Sequence, residues 1–393
     1  MDFTWINMLI ISLIAWISVE IINPKVRRIA VSRNIVDNPD ARKLQRRPVP
    51  LLGGLSVFFG ILIGLCVARM LFNSSILYPI IVSMVIMLYF GTADDIVGLS
   101  PSVRFGAEIF VVIAMMSIHN FAINDFHGLW GIHRIPDWAA WLFTIFAVVG
   151  IINSINLIDG VDGLSSGFCI MSSLLFGILF FYAGDYAWAS LALVCVGALL
   201  PFFLHNVFGK KSKMFIGDGG TLVMGVVISS FVIRTLQSDS LVERYFNQDR
   251  ISLVAFSLAA LSIPVFDTVR VMGARIVRGH SPFKPDKTHL HHLFISMGYS
   301  HIGTTVRELL LNAFVVLCWW ISFVLGASVN VQCYVVIGVS LLITWGFYRI
   351  MASQVRKDTH FIRQVRRVAY GSHIERKGIW YVIQKVVDKF YNE

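Results

Sequence analysis

Carboxylates set in apolar surroundings are the first residues of this chain that could do chemistry. Asp94 and Asp95 stand side by side in GTADDIVGLSPSVR, ahead of Arg104. Two adjacent carboxylates at a membrane interface are costly unless a cation or donor meets them, whereas a helix cap needs only one. The pair therefore reads as functional. In NSINLIDGVDG, Asn153, Asn156, Asp159 and Asp162 recur at every third position. Neighbouring members share a face of an α-helix while the first and last diverge, and in a 3₁₀ stretch all four align. Gly160 and Gly163 disfavour a regular helix there, and Asp162 is placed to cap a helix starting near Leu164. Another carboxylate, Asp218, lies in FIGDGGTL, where small neighbours let a ligand approach the backbone. Oxygen donors without sulfur or imidazole suit a hard cation. Mg²⁺ in particular takes one or two carboxylates and leaves the rest of its shell to water and substrate phosphates.

Basic and imidazole side chains form the complementary set. The segment DNPDARKLQRRPVPLLGG places Arg42, Lys43, Arg46 and Arg47 ahead of Pro48, Pro50, Gly53 and Gly54. These can grip phosphate or act as ordinary cytoplasmic anchors. Lys210, Lys211 and Lys213 precede the Asp218 motif, and PVFDTVR carries Asp267 and Arg270. The following RIVRGHSPFKPDKTHLHHLF holds Arg275, Arg278, Lys284 and Lys287, with His289, His291 and His292 close together. No cysteine or fixed fourth ligand accompanies these imidazoles, so phosphate or uridine contact fits them better than zinc.

The elements that must position these groups are membrane helices. A chain of 393 residues that is 56% hydrophobic and 14% charged is too apolar for a soluble domain, whose charged share is about 25%. Its five cysteines, Cys66, Cys169, Cys195, Cys318 and Cys333, lie in apolar runs without metal or disulfide spacing. The net charge of +10 is explained by anchoring at anionic headgroups, with no need of nucleic acid. The first apolar run, Trp5 to Ile22, lacks a basic residue before it and a small-residue cleavage site after it, and reads as a retained helix.

Eleven spans are expected, at 5–23, 51–71, 76–92, 104–119, 137–153, 164–183, 187–207, 217–236, 251–271, 308–327 and 331–350. With the N-terminus outside, the inner segments hold 27 of the 33 basic residues, as cytoplasmic loops should. Every polar cluster above then falls on the inner side, which points to one cytoplasmic site. Residues 1–350 read as a single transmembrane catalytic domain of all-α class. Residues 351–393 read as a basic cytoplasmic tail, amphipathic and associated with the membrane surface, with Trp380 and Tyr381 among its basic residues.

Taken in order, RKLQRRPVPLLGGL, DDIVGLSPSVR, NSINLIDGVDGL, FIGDGGTL and SPFKPDKTHLHHLF resemble the polyprenyl-phosphate N-acetylhexosamine-1-phosphate transferases, glycosyltransferase family 4. Among them the closest group is the undecaprenyl-phosphate N-acetylglucosaminyl-1-phosphate transferases. The resemblance runs from about Asp37 to Phe294; GDGGT departs slightly from the more usual GDAGS but keeps the aspartate and the small residues.

The resemblance implies a bacterial inner-membrane enzyme that uses Mg²⁺, with Mn²⁺ as a substitute, and acts on UDP-GlcNAc and undecaprenyl phosphate. It implies that Asp218 ligates the metal with Asn156 or Asp159 beside it, and that Asp94, Asp95, Asp159 and Asp162 are catalytic. Arg104 and the three histidines would contact substrate, and Lys43, Asn153, Asp267 and Arg278 are further candidates for such contact. UDP-MurNAc-pentapeptide or another UDP-N-acetylhexosamine is the alternative donor, and a homodimer is compatible. A direct displacement and a route through an aspartyl phosphate on Asp159 or Asp94 both stay open. A transporter would place its site near the midplane within inverted repeats, and no repeat is seen.

Overall fold

The computed structural model describes residues 4–38, 48–72, 74–117, 121–246, 250–282, 286–371, 373 and 378–391. The fold is a helix bundle. Its helices are α1 Thr4–Ser32, α2 Gly53–Leu71, α3 Tyr78–Val97, α4 Pro101–Ser117, α5 Asp137–Leu157, α6 Leu164–Tyr182, α7 Tyr186–Phe208 and α8 Gly217–Leu236. They continue as α9 Leu241–Phe246, α10 Leu253–Ala260, α11 Ser262–Val277, α12 Leu290–Ser296, α13 His301–Val324, α14 Val329–Leu341, α15 Tyr348–Arg356, α16 His360–Gly371 and α17 Ile379–Val387. Two short hairpins complete it: β1 Val36–Asp37 with β2 Val49–Pro50, and β3 Asp125–Leu129 with β4 Ile132–Arg134.

Among the described residues nine helices are long and apolar enough to cross a bilayer, and α10 with α11 would make a tenth. The expected span 104–119 corresponds to α4, whose 17 residues reach about 26 Å at 1.5 Å per residue, short of a hydrocarbon core of about 30 Å. The last span runs on past residue 350, because α14 and α15 join through a π-wound turn at Leu342–Phe347 into one stretch, Val329–Arg356.

The expected span 251–271 is broken, with α10 and α11 meeting at 75° around Leu261. Pro264 removes one amide from the first turn of α11. Asn312 of α13 repairs the rest: its Oδ1 accepts from the Ile263 amide at 3.0 Å and the Ser262 hydroxyl at 2.9 Å, and its Nδ2 donates to the Ala259 and Ala260 carbonyls. Unpartnered backbone at this depth would cost several kcal/mol per group, so one asparagine makes the bend tenable.

The hub is α8. In its most apolar stretch 94% of residues are buried, against 28% for α1, and it packs most extensively on α3 and α5. On α1, Met8, Ile11, Ala15 and Val19 face inward while Leu9, Leu13, Ile17 and Ile21 are exposed. That outward row is a lipid-facing stripe. Beside α8, Phe176, Phe180, Trp188 and Phe231 form a fully buried aromatic cluster.

Candidate active site

The N-terminal end of α8 carries Asp218, and its neighbours are built around it. Gly91 of α3 approaches it closely: a Cβ there would sit 2.6 Å from the Asp218 carbonyl carbon, so only glycine lets the two backbones touch. Gly217 has φ +69°, and a side chain on it would also strike Asp95 Oδ2. Asp95 accepts hydrogen bonds from the Asp218 amide at 3.0 Å and the Gly219 amide at 3.2 Å. It therefore caps α8 from another helix and fixes the Asp218 backbone. From the other side, Phe215 N donates to Pro50 O, and the Gly53 and Gly54 amides donate to the Phe215 and Ile216 carbonyls. The chain leaving the basic loop is thus hydrogen-bonded to the start of the Asp218 motif.

Arg104 gathers the remaining acids. Its Nη1 lies 3.5 Å from Asp94 Oδ2 and 3.5 Å from Asp218 Oδ2, its Nε 3.7 Å from Glu108 Oε1, and its Nη2 donates to Asn153 Oδ1 at 3.4 Å. Asn153 in turn donates to Glu108 Oε2 at 2.6 Å. Asp94 also accepts from the Leu99 amide at 2.7 Å, which closes the turn after α3. An open cavity of ≈390 Å³ borders this cluster, lined among others by Asp94, Pro101, Arg104, Phe105, Asn153 and Asn156.

Asn156 presents its nitrogen to this site, donating to Asp218 Oδ1 at 2.7 Å and Thr221 Oγ1 at 2.9 Å. In that pose it orients the Asp218 carboxylate, and its own oxygen is turned away from it. Asp159 is exposed and accepts from the Ser165 hydroxyl. Crowding by protein atoms pushes its carboxyl up toward about 7, with Ser165 opposing and Asp218 and Asp162 adding to the rise. Its opening to solvent tempers that shift. Asp162 is committed elsewhere: its Oδ2 meets Lys213 Nζ at 2.5 Å and His301 Nδ1 at 2.9 Å. Burial raises its pKa, but His301 and Lys213 outweigh that and hold it below the usual carboxylate value.

The histidines lie next to this loop. A Cβ on Gly160 would stand 2.6 Å from His291 Nε2, which places the imidazole cluster against the Asp159–Asp162 turn. Asp267 is fully engaged, with Oδ1 taking Arg270 at 2.6 Å and Oδ2 taking His289 Nδ1 at 2.9 Å and the Leu290 amide at 3.2 Å. It positions His289 and leaves no free oxygen for substrate. Burial drives His291 well below the ordinary histidine pKa and, with His289 adding to it, brings His292 down to about 4. Both rings are neutral at pH 7, which favours hydrogen bonding to uridine or sugar over charge attraction to phosphate.

Of the residues expected from the sequence, Asp94, Asp95, Arg104, Asn153, Asn156, Asp159, Asp162 and Asp218 converge at one end of the bundle. Asp267, His289, His291 and His292 sit beside them. Arg278 is exposed at the end of α11, with no side-chain contact to this cluster. Lys43 lies outside the described residues. The reading missed Glu108 and His301. Glu108 carried a usable signal, an ionisable residue one turn after Arg104 in an apolar helix. His301 joins the site only through tertiary structure.

The donors suit a hard cation: Asp94, Asp95, Asp159 and Asp218 offer oxygens alone, and Arg104 is the cation set among them. A second group, Asp125, His127 and Glu243, lies within 4.8 Å at the far ends of α4 and α5 and takes no part here.

Residues 77–236 match the family described as glycosyl transferase family 4. Over 359 residues the chain is 31% identical to the undecaprenyl-phosphate alpha-N-acetylglucosaminyl 1-phosphate transferase of Pasteurella multocida, covering 88% of this chain and 94% of that protein. The enzyme of the same name from Salmonella typhi is 28% identical over 351 residues, 87% and 90% of the two chains. That from Escherichia coli K12 is 27% identical over 350 residues, with the same coverage.

Proposed function

This chain belongs to glycosyl transferase family 4, and from that premise we propose that it transfers N-acetylglucosamine 1-phosphate from UDP-GlcNAc to undecaprenyl phosphate. The observation that carries this reading is the convergence of oxygen donors from α3, α4, α5 and α8 on Arg104 beside an open cavity. A phosphate oxygen of the lipid attacks the β-phosphorus of the donor. The bond from that phosphorus to the bridging oxygen breaks, and the electron pair leaves with UMP. A phosphomonoester has its second pKa near about 6, so the attacking oxygen needs little help from a base at pH 7.

Catalysis is then positioning and charge balance. Arg104, held by Asp94, Glu108 and Asn153, offers a fixed guanidinium for phosphate oxygens. Asp218 and Asp159 would hold Mg²⁺, or Mn²⁺ in its place, with Asn156 and Asp95 fixing Asp218. The metal, when bound, would offset charge on the diphosphate and on the departing UMP. His289, steadied by Asp267, and the neutral His291 and His292 recognise the nucleotide sugar.

The positive-inside pattern supports eleven spans, counting α4 and the bent α10–α11, with the N-terminus outside and this site facing the cytoplasm of a bacterial inner membrane. The product would be the lipid-linked diphosphate sugar on which a cell-envelope polysaccharide is begun.

The test is UMP release by purified protein in detergent. UMP from UDP-GlcNAc that requires lipid, is lost with EDTA and disappears in Asp218→Asn is the expected result. UMP only from UDP-MurNAc-pentapeptide would reassign the donor, and none from any UDP-sugar by well-folded protein would overturn the reading.

A further inference from the structure

At the opposite end of α4 and α5 from the active site, the β3–β4 hairpin meets the segment after α8. Three side chains come together there. Asp125, buried, opens β3; His127 follows two residues later; Glu243 comes from α9, and their ligand atoms lie within 4.8 Å of one another. We propose that Asp125, His127 and Glu243 form a binding site for a divalent transition metal of the zinc class, which clamps the hairpin to the segment after α8.

The second observation is the imidazole itself. The His127 side chain is nine-tenths buried, and its Nε2 makes no hydrogen bond among the described residues. Buried ring nitrogens normally have partners, and a metal or metal-bound water would supply one here. Its Nδ1 lies 3.7 Å from Asp125 Oδ1, too long for a hydrogen bond.

The surrounding charges agree. Arg134, the basic residue paired opposite Asp125 in the hairpin, is bound to Asp239, whose backbone amide is bound to Glu243. Neither Asp125 nor Glu243 has a lysine or arginine partner among the described residues. One nitrogen with two carboxylate oxygens suits Zn²⁺ better than Mg²⁺ or Ca²⁺, which prefer oxygen alone. Three protein ligands leave a fourth position for water or for the exposed His133 nearby.

The experiment uses the full chain in detergent carrying Asp218→Asn, so that the reaction's own metal does not confuse the count. Zn²⁺ is titrated against a chelating dye, and Co²⁺ substitution is followed by visible absorption. One equivalent of Zn²⁺ is expected in this background, lost or weakened at least about tenfold in His127→Ala and in Glu243→Gln. The second variant is isosteric and keeps the fold testable if the first misfolds. UMP release by His127→Ala in the otherwise native chain stays normal. No Zn²⁺ bound in the Asp218→Asn background, or unchanged affinity and Co²⁺ spectrum in both variants, would overturn the proposal.

Discussion

Asp267 has no oxygen left for a ligand, so its removal should act through His289. In Asp267→Asn the KM for UDP-GlcNAc should rise about tenfold, with a smaller fall in kcat, as expected when an outer partner of a contact residue is lost. Steady-state UMP release checks this, and an equal loss in kcat alone would argue against it. His292 supplies a pH signature. Its folded pKa of about 4 lies below the ordinary value, so the unfolded chain binds the extra proton first as pH falls. Stability should therefore be complete above about pH 6.5 and decline by about 1–3 kcal/mol on going down to pH 4. Thermal unfolding in detergent should show that slope, and His292→Gln should flatten it. Residue types and order made most of this site legible, because carboxylates at membrane depth are conspicuous. Partners were not legible. Asp95 could be seen as an acid but not as the cap of a helix that begins 122 positions later, and Asn156 could be seen as a polar neighbour of the metal site but not as the donor that holds Asp218.

Among the elements, α3 and α8 meet so closely at Gly91 that one added side chain should open the site. In Gly91→Val the Asp218 backbone must retreat, at about 1–3 kcal/mol of overpacking. Activity should fall at least tenfold while the protein stays monodisperse, measurable by UMP release beside a thermal melt. Apolar run length located the nine helices that, among the described residues, are long and apolar enough to cross a bilayer, since hydrophobic thickness dictates it. It could not tell a straight crossing from the 75° break at Leu261, which depends on Asn312 reaching from α13 to satisfy four backbone and hydroxyl groups. A proline in an apolar helix is compatible with either outcome.

Across the whole molecule, the tail is docked more firmly than its amphipathic pattern suggests. Asp388 accepts from the backbone amides of Lys210, Lys211 and Ser212 and from the Ser212 hydroxyl, Tyr391 hydroxyl accepts from Asn23, and Trp380 packs on Phe208. The anchored loop continues into Lys213, which holds Asp162. Asp388→Ala should therefore raise amide exchange in residues 378–391 and in 209–213 together, and lower activity several-fold without unfolding the bundle. Hydrogen exchange restricted to the tail would contradict this coupling.

The cap on α8 also has a meaning in time. Asp95 is synthesised 123 residues before Asp218, the first residue whose amide it holds, and Arg104 of α4 likewise meets the Asp218 carboxylate only once α8 has emerged. At about 5–20 residues per second, Asp95 waits roughly 6–25 s for its partner amides. During that interval Asp95, at the end of α3, has neither helix end nor metal to receive it. The half-made protein must keep that end of α3 in water or in the insertion machinery, and the bundle can close around its hub only when α8 has been delivered to α3 and α5.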